Sequence, residues 1–229
     1  MEMYHRLTPA AIWIIALIGF VAVAALAGAH DTFAGDVWLA QQFQDMDWPV
    51  LASTLEMAEE LGSMPTIVLV WVGAAVLVAA AIGRRQALLL AAAAVLRFSN
   101  APLKEIVGRP RPSLELVSAE HQPSSLSFPS GHAQTVILLY GLLFYFAAVY
   151  IKDGRLRALA QVFCAWVIVF TGMERVYAGH HWPSDVVGGF WLGGLILAAL
   201  IAIDQLVLRR QGNSVRERGD EPLGEAQGA

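Results

Sequence analysis

The stretch Arg175-Val-Tyr-Ala-Gly-His-His-Trp-Pro-Ser-Asp185 sets an arginine, two histidines and an aspartate between two long apolar runs. Ionisable groups are costly inside a bilayer and cheap at its edge, so such a cluster points to a site that faces water. Two further polar islands accompany it, Lys104-Glu-Ile-Val-Gly-Arg-Pro-Arg-Pro112 and Pro129-Ser-Gly-His132. Cations, histidines and a carboxylate are the groups phosphoryl transfer calls for. They compensate charge on the phosphate oxygens, attack phosphorus and move protons.

Each island alone also fits a plainer account. Lys104 and Arg111-Pro112 would serve as a membrane-flanking basic loop, and Arg109 is the cation best suited to that role alone. Pro129 to His132 would serve as the turn that opens a helix. His180 and His181 are adjacent, and neighbours at i, i+1 diverge on a helix, so they chelate a metal poorly. The His-Glu-x-x-His zinc spacing is absent. No metal or other cofactor is expected.

The elements that must position these groups are read from hydropathy. Of 229 residues, 57% are hydrophobic and 15% charged, with mean hydropathy +0.56, well short of the charge of a soluble domain. The formal net charge of −4 offers no basic face for nucleic acid. The single cysteine, Cys164, lies in an apolar run and reads as a small buried residue. Apolar runs near 9–29, 65–82, 86–103, 133–151, 157–174 and 185–208 are long enough to cross the hydrocarbon. Arg97 interrupts the third, where it would snorkel to the interface or join the polar site. We expect an all-α, polytopic membrane protein: a six-transmembrane-helix bundle over residues 1–210, with an unstructured tail at 211–229.

Loop charge orients the bundle. Residues 30–64 carry seven acids and no lysine or arginine. Basic residues recur at every second loop: Arg84 and Arg85, then Lys152, Arg155 and Arg157, then Arg209 and Arg210. The positive-inside rule makes those loops and both termini cytoplasmic. The 104–132 loop breaks the pattern with Lys104, Arg109 and Arg111. Parity puts it outside, with its cations read as functional, so all three polar islands lie on the extracytoplasmic side of the cell membrane. The first span, with Arg6 ahead of it and Ala27-Gly-Ala29 at its end, competes with a signal peptide. It is longer than the usual signal core, which favours an uncleaved anchor. Between the first two spans, apolar and acidic residues interleave around Trp48-Pro49. This pattern predicts short amphipathic helices lying in the outer interface.

Taken together and in order, the islands resemble the type 2 phosphatidic-acid phosphatase superfamily. Its motif reads Lys-x6-Arg-Pro, Pro-Ser-Gly-His and Ser-Arg-x5-His-x3-Asp. Here Lys104 precedes Arg111-Pro112 at that spacing, Pro129-Ser130-Gly131-His132 matches throughout, and Arg175, His181 and Asp185 are correctly spaced. Glu174 stands where the motif has serine. A carboxylate cannot replace that hydroxyl beside an anion, so Glu174 must turn away, pair with a cation or alter substrate preference.

The resemblance implies roles. His181 would be the nucleophile that forms a phosphohistidine, and Asp185 would fix its tautomer. His132 would protonate the leaving oxygen and then activate water. Lys104, Arg111 and Arg175, with Ser130 and the Gly131 amide, would surround the phosphoryl group. His180 would be a bystander. The implied substrate is a membrane lipid phosphate, first a polyprenyl (undecaprenyl) diphosphate, then phosphatidylglycerol phosphate, phosphatidic acid or lipid A phosphate. No obligatory protein partner is expected. A lipid phosphotransferase would share every motif. A transporter would instead want polar groups or helix breaks near mid-membrane.

Overall fold

The computed structural model describes residues 8–46, 48–63 and 65–219, with backbone alone considered at 210–219. Arg6 and the end of the tail, residues 220–229, lie outside the described residues.

The described residues are helical, as the hydropathy pattern requires. Helix α1 (Pro9–Ala29) starts where the Thr8 hydroxyl accepts a bond from the Ala11 amide, with Pro9 in the first turn. It is followed by α2 (Asp36–Gln44), α3 (Pro49–Gly62) and α4 (Thr66–Ala81). Helix α5 (Arg84–Leu96) leads through a single 3-10 turn at Arg97–Ser99 into α6 (Asn100–Val107). A loop of about two dozen residues then reaches α7 (Gly131–Tyr150), α8 (Gly154–Tyr177) and α9 (Pro183–Gly219).

Helix α7 is the axis of the bundle. Its Val136, Leu138, Leu139 and Leu142 are wholly buried, the behaviour of a helix that is apolar all round and enclosed by others. Helix α9 lies against it closely enough that a Cβ at Gly193 would overlap the Ile137 side chain, and one at Gly189 the Ser130 carbonyl. Small residues at such a seam let backbones approach where lipid supplies no hydrophobic drive. Helix α1, by contrast, leaves Ile12, Ile14, Ile15, Ile18 and Val21 exposed, an apolar surface suited to hydrocarbon.

Among the described residues, five helical segments are long and apolar enough to cross a membrane, or six when α3 and α4, bent by 63°, count as one span. The six expected runs correspond to α1, α4, α5 with α6, α7, α8 and α9. The protein is a multi-pass membrane protein. Two short helices, α2 and α3, stand where interfacial helices are expected, separated at residues 45–48, where Trp48 is extended and Pro49 opens the next helix. Helix α3 also supplies the length that α4 lacks for a span. Helix α9 continues to Gly219. It therefore takes in 211–219, the first part of the stretch that composition assigns to an unstructured tail. Arg, Gln and Glu there are good helix formers, and they extend a helix already nucleated by its apolar part.

The helix ends sort onto two faces. Gly28 approaches Val107, Asp36 meets Ser184 and Arg109, and Gln44 donates to the Tyr177 carbonyl. All three polar islands share that face. At the other end Arg85 meets Asp204, and the Gln86 side-chain oxygen accepts from the Tyr150 hydroxyl.

Candidate active site

The three islands converge on one cavity of about 310 Å³, lined by Lys104, Arg111, Gly131, His132, Arg175 and His181 among others. Four local structures deliver them. Lys104 stands in the last turn of α6, which ends at Gly108 in the left-handed conformation (φ 72°). Gly131 and His132 form the first turn of α7, behind Ser130 as its N-cap. Arg175 is in the last turn of α8. His180 and His181 ride the turn from α8 to α9, which needs Gly179 at φ +67°. A Cβ there would also strike the Ser118 carbonyl, so the position requires glycine twice over.

His181 is 3% exposed and its two nitrogens face different surroundings. Nδ1 lies 3.5 Å from Asp185 Oδ2 and 3.4 Å from Ser127 Oγ. Nε2 lies 3.3 Å from Arg111 Nη1 on the cavity side. Burial pushes the imidazole down to about 3, although Asp185 pulls the other way and Arg111 and Lys104 add to the fall. The ring is therefore neutral at neutral pH. With Nδ1 turned to a carboxylate, the lone pair falls on Nε2, in the cavity.

Asp185 sits behind His181, fully buried. Its carboxylate accepts from Arg109 at 2.6 Å, from the Trp182 amide at 2.8 Å and from the Ser127 hydroxyl. Its carbonyl accepts from the Ser130 amide at 2.9 Å, joining the third island to the second. The histidine precedes α9 instead of sharing a helical turn with the aspartate. Their meeting depends on Asp185 capping the start of that helix.

Arg109, read from sequence as a flanking cation, is instead wholly buried at the centre of this network. It bridges Asp185 and Asp36, the latter at 2.8 Å, donates to Ser184 at 2.8 Å and lies 4.8 Å over the Phe33 ring. An arginine among two carboxylates is structural: its charge is already answered.

The cavity cations differ. Lys104 donates to the Leu126 and Ser127 carbonyls, and Arg111 to the Ser125 and His180 carbonyls and the Ser125 hydroxyl. Neither has a carboxylate among the ion pairs of the described residues. Burial lowers Arg111 to about 10, which still leaves it charged. Arg175 does have acid partners, Glu174 and, at 2.8 Å, Glu59 of α3. Of the three outcomes open to Glu174, the structure takes pairing with a cation.

Ser130, expected among the phosphate donors, is fully buried and its hydroxyl has no partner among the described residues. The neighbouring Gly131 does line the cavity. His180, expected to point away, lines it too. The rule of helical divergence does not hold in a turn, and its ring lies 4.9 Å from His121. Burial lowers His180 to about 4, with Arg175 and His121 adding to the fall. Asp36, Ser127 and Glu59 escaped the sequence reading, since each meets its partner across more than fifty residues.

The chain is similar in sequence and in fold to known proteins. The model of the PAP2 superfamily covers residues 85–208. Phosphatidylglycerophosphatase B of Bacillus subtilis (strain 168) is 32% identical over 114 residues, 49% of this chain and 55% of that one. Lipid A 1-phosphatase of Rhizobium etli is 35% identical over 99 residues, 40% of this chain and 38% of that one. A protein of Escherichia coli (strain K12), provisionally named undecaprenyl-diphosphatase YbjG, is 30% identical over 129 residues, 56% of this chain and 59% of that one. The chain thus spans less than two thirds of each of these relatives. In fold it is similar to the crystal structure of a transmembrane PAP2 type phosphatidylglycerolphosphate phosphatase from Bacillus subtilis. The TM-score is 0.73 at 22% identity, over 85% of this chain and 96% of that one.

Proposed function

The chain belongs to the PAP2 superfamily, and from that premise we propose that it is an integral membrane phosphatase that hydrolyses a lipid phosphate through a phosphohistidine. The observation that carries this reading is the placement of His181. Nδ1 faces a buried carboxylate, and Nε2 faces the Arg111 guanidinium, which has no ion pair with an acid among the described residues.

The reaction begins with the substrate phosphate between Lys104, Arg111 and the start of α7, where the Gly131 amide adds a donor. His181 Nε2 attacks phosphorus, and the bond to the leaving oxygen breaks. His132, in the lining of the same cavity, gives that oxygen its proton. Asp185 stabilises the positive charge that develops on the imidazole. In the second half His132 takes a proton from water, water attacks the phosphorus, and the P–N bond breaks to release inorganic phosphate. Arg175 serves the phosphate only in so far as Glu59 and Glu174 share it. A cavity walled by cations has no need of a metal ion for charge compensation.

The cavity is lined by residues at helix ends, Lys104, Gly131, His132 and Arg175, a depth at which a lipid headgroup can bind with its tail still in hydrocarbon. The opposite face carries Arg84, Arg85, Lys152, Arg155, Arg157 and Arg209. That supports a cytoplasmic assignment for it and an extracytoplasmic site, in the cell membrane. Phosphate release by purified protein from a panel of lipid phosphates, in EDTA and beside His181→Asn, tests the reading. Release that persists in EDTA and disappears in the variant is expected. Absence of release from every lipid phosphate would overturn it.

A further inference from the structure

Arg97 lines the same cavity, although it belongs to none of the three motif segments. It occupies the 3-10 turn between α5 and α6, inside the membrane-length segment Arg84–Val107. Its guanidinium lies 4.4 Å over the Phe98 ring, and it forms no ion pair among the described residues. A cation held within a span with no counter-charge is costly. At the opposite end of the same segment, Arg85 has Asp204. Arg97 therefore lacks the partner that a purely structural arginine would have.

Its position says where an anion would come from. Arg97 precedes Lys104 by two helical turns, about 10 Å along the helix, toward the membrane interior. Ile67, Phe98 and Ala101 line the same cavity, and Phe98, under the Arg97 guanidinium, is 62% exposed, an apolar surface suited to hydrocarbon. One cavity thus joins Arg97 and apolar residues to the phosphate cations Lys104 and Arg111. A lipid whose terminal phosphate sits at Lys104, with its tail toward the membrane interior, passes Arg97.

We propose that Arg97 is a specificity-determining residue that binds the tail-proximal phosphate of a lipid diphosphate while the terminal phosphate is attacked by His181. This rests on the phosphatase reading and narrows its substrate class. The step balances as follows. His181 Nε2 forms a bond to the terminal phosphorus. The bond from that phosphorus to the bridging oxygen breaks, and the oxygen keeps the electron pair. The lipid monophosphate leaves, protonated by His132, and water later releases the terminal phosphate from His181. Arg97 stabilises the charge gained by the leaving monophosphate, a charge that a leaving lipid alcohol does not carry at that place.

Farnesyl diphosphate and farnesyl monophosphate, which differ by one phosphate, form the matched test on the full chain in detergent micelles. The ratio of their kcat/KM values is the readout for wild type, Arg97→Gln and Arg97→Lys. Wild type is expected to favour the diphosphate. In Arg97→Gln the ratio should fall at least about tenfold, the worth of one charge-assisted hydrogen bond. Arg97→Lys, which keeps the charge but loses the planar fork, should recover part of it. A ratio unchanged in Arg97→Gln overturns the proposal, whether both activities fall together or neither moves. The ratio of two substrates on one preparation is insensitive to the fraction folded. Wild type inactive on both, and on every other lipid phosphate, would instead overturn the phosphatase reading itself.

Discussion

The two ends of the bundle both bury charge, and they do so differently. At the end away from the cavity, Asp204 has a fully buried side chain with Arg85 Nε at 3.1 Å. It also accepts from the Tyr145 hydroxyl at 2.8 Å, and Tyr145 accepts from Gln205 at 2.8 Å. These charges are answered within the protein, and the network ties α5, α7 and α9 together. At the cavity end, Arg109, Asp36, Asp185 and Ser184 form a comparable closed set. In front of it, however, stand Lys104, Arg111 and Arg97, none of which has an acid partner among the described residues. Closed networks hold helices in register. Open cations mark where an anion is to arrive.

That contrast can be broken at graded points. The largest effect belongs to the nucleophile: His181→Asn should lower kcat by at least about 10³-fold while the protein melts near the wild-type temperature. Activity retained within tenfold would remove His181 from the chemistry. Next comes the closed set behind it. Arg109→Ala strands two buried carboxylates and should cost about 3–5 kcal/mol of stability, with activity lost as Asp185 loosens. Thermal unfolding beside activity checks this, and a melting temperature unchanged would show that Arg109 is not structural.

An intermediate effect concerns pH. His181 is held neutral to about 3 by burial, below the ordinary histidine value near 6.5. Protonation removes the nucleophile, so its loss appears on the acid limb of kcat/KM. After correction for substrate ionisation, that limb should lie below about pH 5. A limb near 6.5 would mean that the imidazole titrates as if in water. Glu174→Gln should then tighten inhibition by inorganic phosphate about fivefold, by freeing Arg175 from one of its two acids. Weaker inhibition would show that the carboxylate supports the anion site instead of opposing it.

The smallest effect on activity should come from the far end. Asp204→Asn is expected to lower stability by about 1–3 kcal/mol and to leave kcat/KM within about twofold. A large loss of activity without a loss of stability would couple the two ends and dissolve the distinction between them.

How far the sequence carried differs between scaffold and site. Spans were legible because lipid demands long apolar runs, and the break between α2 and α3 was legible because Trp48-Pro49 interrupts an amphipathic pattern. The residues that gather at the cavity were legible through motif spacing, with Lys104, Arg111, Gly131, His132, Arg175 and His181 all in its lining. Partners were not. Arg109 and Arg111 stand two residues apart in the same Arg-Pro repeat, and nothing local separates the one that meets Asp36 and Asp185 from the one that faces the cavity. Glu59 meets Arg175 from 116 positions away, a distance over which periodicity says nothing. His180 misled because a rule for helices was applied to a turn.

The most direct test of the account is to trap the intermediate. Purified protein turning over a ³²P-labelled lipid phosphate in EDTA is quenched rapidly, and the label on the protein is followed. Label that is stable to base, labile to acid, chased by water at the rate of turnover and absent from His181→Asn is the predicted result. Turnover with no such label, or label that survives in His181→Asn, would contradict it.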